Sequence, residues 1–429
     1  MQSAKFKRIL GAGLQQVLLI TVAVSQIGVS LANAQGNSAA REQLLAASEA
    51  LTVDAILEAA LVNAPAARSE VSLRAMSEAF DALGNSWVAS RPSLQISVYD
   101  DSPLDNIGLQ EFETGVSFNL WRPGERSDTA ALGDQHQTRL EAWREHLQLL
   151  VAGQVRAVLG ELAAAERRLE IAQQASADAE RLLATTVDME AVGAAAQSDV
   201  LQARTQSLQQ QRTELQALAD LASIEQAYTV LTGLNMKPAI PYSEVMVSDL
   251  SVPQNHPTLR YLQSQVAIAA ANVELTRHQT SGRPSMTVGV RRERGDRFQP
   301  YNDSLALSFS VPFGKSPATV ASVSLARGVQ TDAEVEMIET RRQLEQRRGQ
   351  VGRELELIGE SLVLGREQVD ISEQRYEMAL TAFELGEMDL TRVIFAQQQA
   401  RQAELDYESL RLREQRLNSE YNQIIGVLP

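Results

Sequence analysis

The side chains that carry covalent or metal chemistry are few in this sequence and far apart. Its 429 residues include four histidines, nine methionines and no cysteine. His136 and His146 are ten apart, and His256 and His278 lie more than a hundred residues further on. Two histidines on one helix face hold a metal when they are four apart, so this spacing fits packing or surface roles. Without cysteine there is no thiolate ligand, thiol nucleophile, disulfide or lipid-bearing N-terminal Cys. The methionines form no soft-metal cluster. Gly-Ala-Gly at 11–13 falls in an apolar N-terminal run, not between a strand and a helix. The reading is of a non-enzyme with no cofactor and no metal. The formal charge of −15 also argues against nucleic acid, whose phosphates require clustered Lys and Arg.

With no reactive constellation to explain, the elements themselves become the subject. Lys5, Lys7 and Arg8 open the chain, an apolar run follows to Val24, and Ala32-Asn33-Ala34 closes it. This is the pattern of a signal peptide cleaved after about Ala34, over 1–34. Gln15, Gln16 and Gln26 make the run a poor membrane span. Cleavage leaves 36 basic against 54 acidic residues, a charge of −18. No later segment offers about 20 uninterrupted apolar residues.

The remainder repeats itself. Asn63-Ala64-Pro65 and Asn255-His256-Pro257 are 192 apart, as are Arg91-Pro92-Ser93 and Arg283-Pro284-Ser285. Ser117-Phe118 matches Ser308-Phe309 at 191, and Gly193 with Val200-Leu201 matches Gly386 with Val393-Ile394 at 193. An offset this constant predicts two tandem repeats, 35–242 and 243–429.

Proline divides each repeat. None occurs between 124 and 237 or between 318 and 428. Proline disrupts helix interiors, and these blocks are rich in Ala, Leu, Gln, Glu and Arg, so each predicts very long helix. The glycines at 193 and 386 break the blocks into helical hairpins, about 127–232 and about 320–425. Leu355, Leu362, Val369, Tyr376 and Phe383 recur every seven residues, as do Leu201, Leu208 and Leu215. That spacing suits a coiled coil or an antiparallel bundle.

Before each hairpin lie two alternating segments, predicted as strands at about 93–101 and 111–120, then about 285–293 and 303–312. Their apolar faces are Leu94, Ile96 and Val98; Phe112, Val116, Phe118 and Leu120; Met286, Val288 and Val290; and Leu305, Leu307, Phe309 and Val311. A small soluble sheet on a helix would show the same alternation. Export, and a length close to the about 9–11 residues that cross a bilayer, favour lipid on that face. Four strands are too few to close a barrel, and open edges do not survive in lipid, so several chains must pool their strands. Pro92, Pro284, Pro123 and Pro312 mark the helix–strand junctions, where proline is expected to end the helix.

This ordered set resembles the TolC family of outer-membrane efflux proteins. LTVDAILEAALVNAP (51–65) is similar to its opening helix, and RPSLQISV and RPSMTVGV to its helix-to-strand junctions. SFSVPFGKSPATVASVSLA (308–326) resembles its strand-to-helix return, and FELGEMDLTRVIFAQQQARQAELDY (383–407) its second hairpin tip. The match covers about 45–428, and its compact loops look most like the CzcC-type cation-efflux branch. The resemblance implies a mainly α fold with a transmembrane β-barrel part: a homotrimer whose 12-stranded barrel stands on an α-helical periplasmic tunnel. It implies a passive exit duct in the outer membrane of a Gram-negative cell, in contact with outer-membrane lipid. Its partners would be a periplasmic adaptor (membrane fusion) protein and an inner-membrane efflux pump of the resistance-nodulation-division type.

Relatives carry acidic residues after the second tip glycine, forming a narrow entrance. Here Gly386 is followed by Glu387 and Asp389, but Arg392 and Phe395 occupy the slots six and nine residues on. Asp199, after Gly193, stands at the slot equivalent to Arg392. The expectation is an Asp199–Arg392 contact that closes the entrance. Two other readings use the same elements: a soluble periplasmic coiled-coil adaptor or scaffold, and the outer-membrane conduit of a type I secretion system.

Overall fold

The computed structural model describes residues 44–247, 251–279, 282–314 and 317–429. The expected signal peptide lies outside these residues. Leu45–Pro429 forms one compact unit, and it is mainly helical.

In chain order the elements are β1 (Ala46–Ser48), α1 (Val53–Asn63), a 3-10 turn (Pro65–Arg68), α2 (Ser69–Asn85), β2 (Ser93–Asp100) and β3 (Gln110–Asn119). Then come α3 (Glu125–Ala191), α4 (Gln197–Thr232), β4 (Met236–Pro238), α5 (Pro257–Gln279), β5 (Ser285–Arg294), β6 (Asn302–Ser310), α6 (Pro317–Glu384) and α7 (Leu390–Ile424). β1 and β4 make a short parallel pair. The other four strands form one antiparallel sheet in the order β2-β3-β5-β6.

Each strand of that sheet runs directly into or out of a helix: α2 into β2, β3 into α3, α5 into β5, β6 into α6. The helices lie in the same order. α3 packs against α2 and α5 along its first half, and against α4 and α7 along its second; α6 packs on α5 and then on α7. The layer therefore reads α2-α3-α5-α6 beside the sheet and α4-α3-α7-α6 away from it. α3 and α6 have 67 and 68 residues, each about 100 Å at 1.5 Å per residue. α3 is central and buries Leu132, Leu140, Val155, Leu159 and Leu182. It also holds an 18-residue window apolar enough to cross a membrane, which the sequence reading did not anticipate; 56% of that window is buried, as suits a core helix. α6 lies on an edge and buries only Val351, Ile358, Val369, Ala379 and Phe383.

The hairpins turn on the expected glycines. Gly193 and Gly386 take φ of +77° and +74°, a left-handed conformation that only glycine adopts without cost. At each, two amides return to the last turn: Gly193 and Ala194 to Glu190 and Met189, Gly386 and Glu387 to Phe383 and Ala382. These bonds satisfy carbonyls that a helix end otherwise leaves unpaired.

Two expectations need correction. Proline does not end the helix at the first junction: α2 stops at Asn85, seven residues before Pro92. The last carbonyls of α2 are taken by distant side chains. Arg126 donates to Gly84 and Asn85, and the Trp121 indole to Ser86 at 3.0 Å. Pro92 and Pro284 sit instead on the residue before each strand. The second correction concerns the heptad leucines of α4. Leu355, Leu362, Tyr376 and Phe383 of α6 do pack into the core clusters, and Val369 is buried. Leu201, Leu208 and Leu215 do not; α4 meets the rest of its chain through Ala203, Gln206, Ser207, Leu218, Leu221 and Tyr228.

Candidate functional site

The register of the sheet assigns every side chain to a face. Leu94, Val116, Val288 and Leu307 form one cross-strand row; Ile96, Thr114, Val290 and Leu305 form the next; Phe118, Met286 and Phe309 lie on the helix side of them. Val98 and Phe112 continue this face outward. The predicted apolar residues within the strands thus share one surface, and most are exposed, Leu94 at 69% and Leu305 at 77%. Leu120 and Val311 fall just past the strand ends, although the Leu120 amide extends the ladder to the Pro284 carbonyl.

The opposite face is polar and graded. Nearest the helices are Asn119, Ser285 and Ser310, then an all-hydroxyl row of Ser93, Ser117, Thr287 and Ser308. The middle row is Gln95, Gly115, Gly289 and Ala306. There two backbones approach so closely that a Cβ on Gly289 would lie 2.3 Å from the Thr114 carbonyl oxygen. Glycine in a strand marks such an approach. Charge appears only in the two outer rows, as Glu113 and Arg291, then Glu111 and Glu293. Arg291 bridges Glu111 and Glu293, each at 2.7 Å. Of these four charged residues, Glu111 and Glu293 near the strand ends were passed over in the sequence reading. Counting the alternation through to the strand ends would have found them. The outer loops are tied together where Arg297 donates to the Asn106 carbonyl at 2.7 Å.

At the other end of the strands, Glu125 is completely buried and pairs with Arg283 at 2.6 Å, joining the start of α3 to the entry of β5. Pro123 and Pro312 lie in the corresponding returns.

The edges of the unit are unpartnered. Among the described residues β2 and β6 each have one strand neighbour. Beside β2 lies the helix edge of α2 and α4; beside β6 lies α6. Both helix edges carry apolar residues at seven-residue spacing. On α4 these are Leu201, Leu208 and Leu215, exposed by 61, 58 and 49%; on α6 they are Leu357, Leu364, Ile371 and Met378, each exposed by more than half. The two stripes overlap in height. Gln211 bonds Glu180, Arg401 pairs with Asp178, and Gln397 bonds Tyr376. Those links set α4 around Leu208–Leu215 level with α6 around Ile371–Met378.

At the hairpin tips the charges are bound locally. The Asp389 carboxylate caps α7, accepting from the Arg392 amide at 3.0 Å and pairing with the Arg392 guanidinium at 3.2 Å. Asp199 accepts from the Ala196 amide at 3.1 Å. Within one chain Asp199 and Arg392 form no ion pair with each other, and Phe395 is exposed.

The histidines are structural. His136 stacks on Phe80 with centroids 4.7 Å apart, and His278 pairs with Asp128 at 2.9 Å. His146 stacks on Tyr261 and bonds Thr258; burial, with His256 nearby, pushes its imidazole down to about 4. Burial also lowers His256. No group of three acidic or histidine side chains that could hold a metal occurs among the described residues.

No protein-family model matches the chain, and no curated protein matches it. Solved structures do. CusC, described as undergoing conformational changes that accompany folding and transmembrane channel formation, aligns with a TM-score of 0.69 at 16% identity, over 90% of this chain and 94% of its own. The outer-membrane protein VceC of Vibrio cholerae aligns at 0.69 and 13%, over 87% and 96%. The CmeC outer-membrane channel of Campylobacter jejuni aligns at 0.67 and 15%, over 87% and 85%. The chain shares the fold of these structures; of what the resemblance to the TolC family implied, the mainly helical architecture with one four-stranded sheet per chain is present.

Proposed function

We propose that this chain is one third of an outer-membrane exit duct of a tripartite efflux system. The observation that carries the reading is the pair of complementary unpartnered edges. β2 runs away from the helices, β3 returns, β5 leaves and β6 returns. Setting β6 of one copy beside β2 of the next keeps every neighbour antiparallel. The same step places the α6 stripe against the α4 stripe. A contact between two different edges of identical chains closes into a ring when the rotation allows. Three copies give a 12-stranded barrel, apolar outside and polar inside, with its helices continued as a tunnel. Closure removes the open edges that lipid does not tolerate.

In this reading the sheet crosses the outer membrane and the helices stand in the periplasm, after removal of residues 1–34. The tips, with Gly193, Asp199, Gly386, Glu387, Asp389, Arg392 and Phe395, form the entrance. The duct does no chemistry. A resistance-nodulation-division pump in the inner membrane supplies energy, a periplasmic adaptor joins the two, and the CzcC-like junctions favour a cation cargo. The test is expression of the full chain, followed by membrane fractionation and electrophoresis with and without boiling. The expected result is an outer-membrane, SDS-resistant trimer that boiling dissociates. A monomer in the soluble periplasmic fraction refutes the duct and supports the soluble coiled-coil reading.

A further inference from the structure

We infer that ion selectivity in this duct is set at the outer end of the barrel by Glu113, Glu293 and Glu111 around Arg291, and that it favours cations. The inference rests on the reading of the polar sheet face as a channel wall. On that face the three inner rows carry no charge. The two outer rows carry three carboxylates and one guanidinium. Arg291 is shared between Glu111 and Glu293. Glu113 stands directly across the strand pair from Arg291, yet it has no ion pair among the described residues. Each chain therefore contributes two net negative charges to this belt, and a ring of three contributes six. Beyond it the β2–β3 loop adds Asp101 and Asp105, and the β5–β6 loop adds Asp296 and Arg297, which cancel. Nothing on the inner rows offsets this field, since their side chains are hydroxyls, amides, one methyl and hydrogens.

A ring of like charge raises the local concentration of counter-ions and excludes co-ions. The effect holds over about a Debye length, about 10 Å at 0.1 M salt, so it reaches the lumen in front of the belt. Cations, and cationic solutes, then pass the outer mouth more readily than anions of equal size. Arg291 acts against this preference while holding two of the carboxylates in place.

The experiment is reversal-potential measurement on the purified trimer in planar lipid bilayers under a potassium chloride gradient at low salt. Wild type is expected to prefer potassium. Glu113→Gln with Glu293→Gln is expected to lower the cation-to-anion permeability ratio by roughly twofold or more. Arg291→Gln is expected to raise it. Glu387→Gln, at the far end of the tunnel, serves as the comparison. A ratio unchanged by the strand variants in a conducting trimer overturns the inference alone. So does a ratio that follows Glu387→Gln and not the strand variants. A wild-type trimer with no conductance overturns the channel reading together with it.

Discussion

Removing the α4 stripe tests ring closure directly. Leu201, Leu208 and Leu215 leave 61, 58 and 49% of their surface exposed in a single chain. Burying a whole leucine side chain stabilises by about 1.5–3 kcal/mol. Covering the exposed fraction in a seam therefore contributes about 1–2 kcal/mol for each leucine, so about 3–5 kcal/mol per seam and roughly 8–15 kcal/mol over three seams. These are upper values, because free chains already hide some of that surface. The triple variant Leu201→Ala, Leu208→Ala, Leu215→Ala should lower the temperature at which the trimer dissociates in SDS by tens of degrees, or abolish the trimer. Helix content by circular dichroism should hold, since none of these side chains is among those that α4 buries in its own chain. Leu104→Ala, in an outer loop and 86% exposed, should change nothing. Unaltered trimer dissociation in the triple variant would refute the seam and the ring built on it.

Acid should destabilise the protein through its buried histidines. The folded pKa of His146 is depressed from 6.5 to about 4, so the unfolded chain binds the extra proton between those values. Stability is full above about 6.5 and falls as pH drops towards 4, by up to roughly 3 kcal/mol; His146→Gln should flatten that limb in thermal melts between pH 7.5 and 5. Gly289→Val should block barrel assembly, because even its Cβ would lie 2.3 Å from the Thr114 carbonyl oxygen. Heat-modifiable migration should then be lost, and retention of a normal trimer would refute the requirement for glycine at the β3–β5 approach.

What could be read from the sequence was what is local. A glycine that must take positive φ, followed by a capping carboxylate, locates a hairpin tip without knowledge of the rest. Strict alternation locates a strand and its faces, and Ser93–Asp100 and Gln110–Asn119 fall where it did. β1 and β4, at three residues each, are too short to show any period. The heptad leucines show a different limit. A period of seven states that a stripe is covered, not by which neighbour. Leu355 and Leu362 turn inward while Leu201 and Leu208 turn outward on the same spacing. The residues that α4 does bury include Ala203, Gln206 and Ser207, small or polar types that make no large apolar stripe. The end of α2 was misassigned for a related reason. Its caps, Arg126 and Trp121, come from about 40 residues away, whereas Pro92 was near and conspicuous.

The hairpin tips show how a contact expected from equivalence is redistributed by local capping. Asp389 holds Arg392 through both its amide and its guanidinium, because the start of α7 needs a side chain to accept its free amides. Asp199 reaches back to Ala196 for the same reason. Each carboxylate is thus engaged within its own turn, but the Arg392 guanidinium stays 74% exposed and retains donors. In a closed ring the α6–α7 tip of one chain stands beside the α3–α4 tip of the next. In that proposed ring, an Asp199–Arg392 pair closing the entrance would be a contact between chains. Arg392→Ala and Asp199→Ala should each raise single-channel conductance, and the double variant should raise it no further than either alone. Thermal stability should stay at the wild-type value, since exposed pairs contribute little. Conductance unchanged by both substitutions would remove Arg392 from the gate and leave it as an ordinary partner of Asp389.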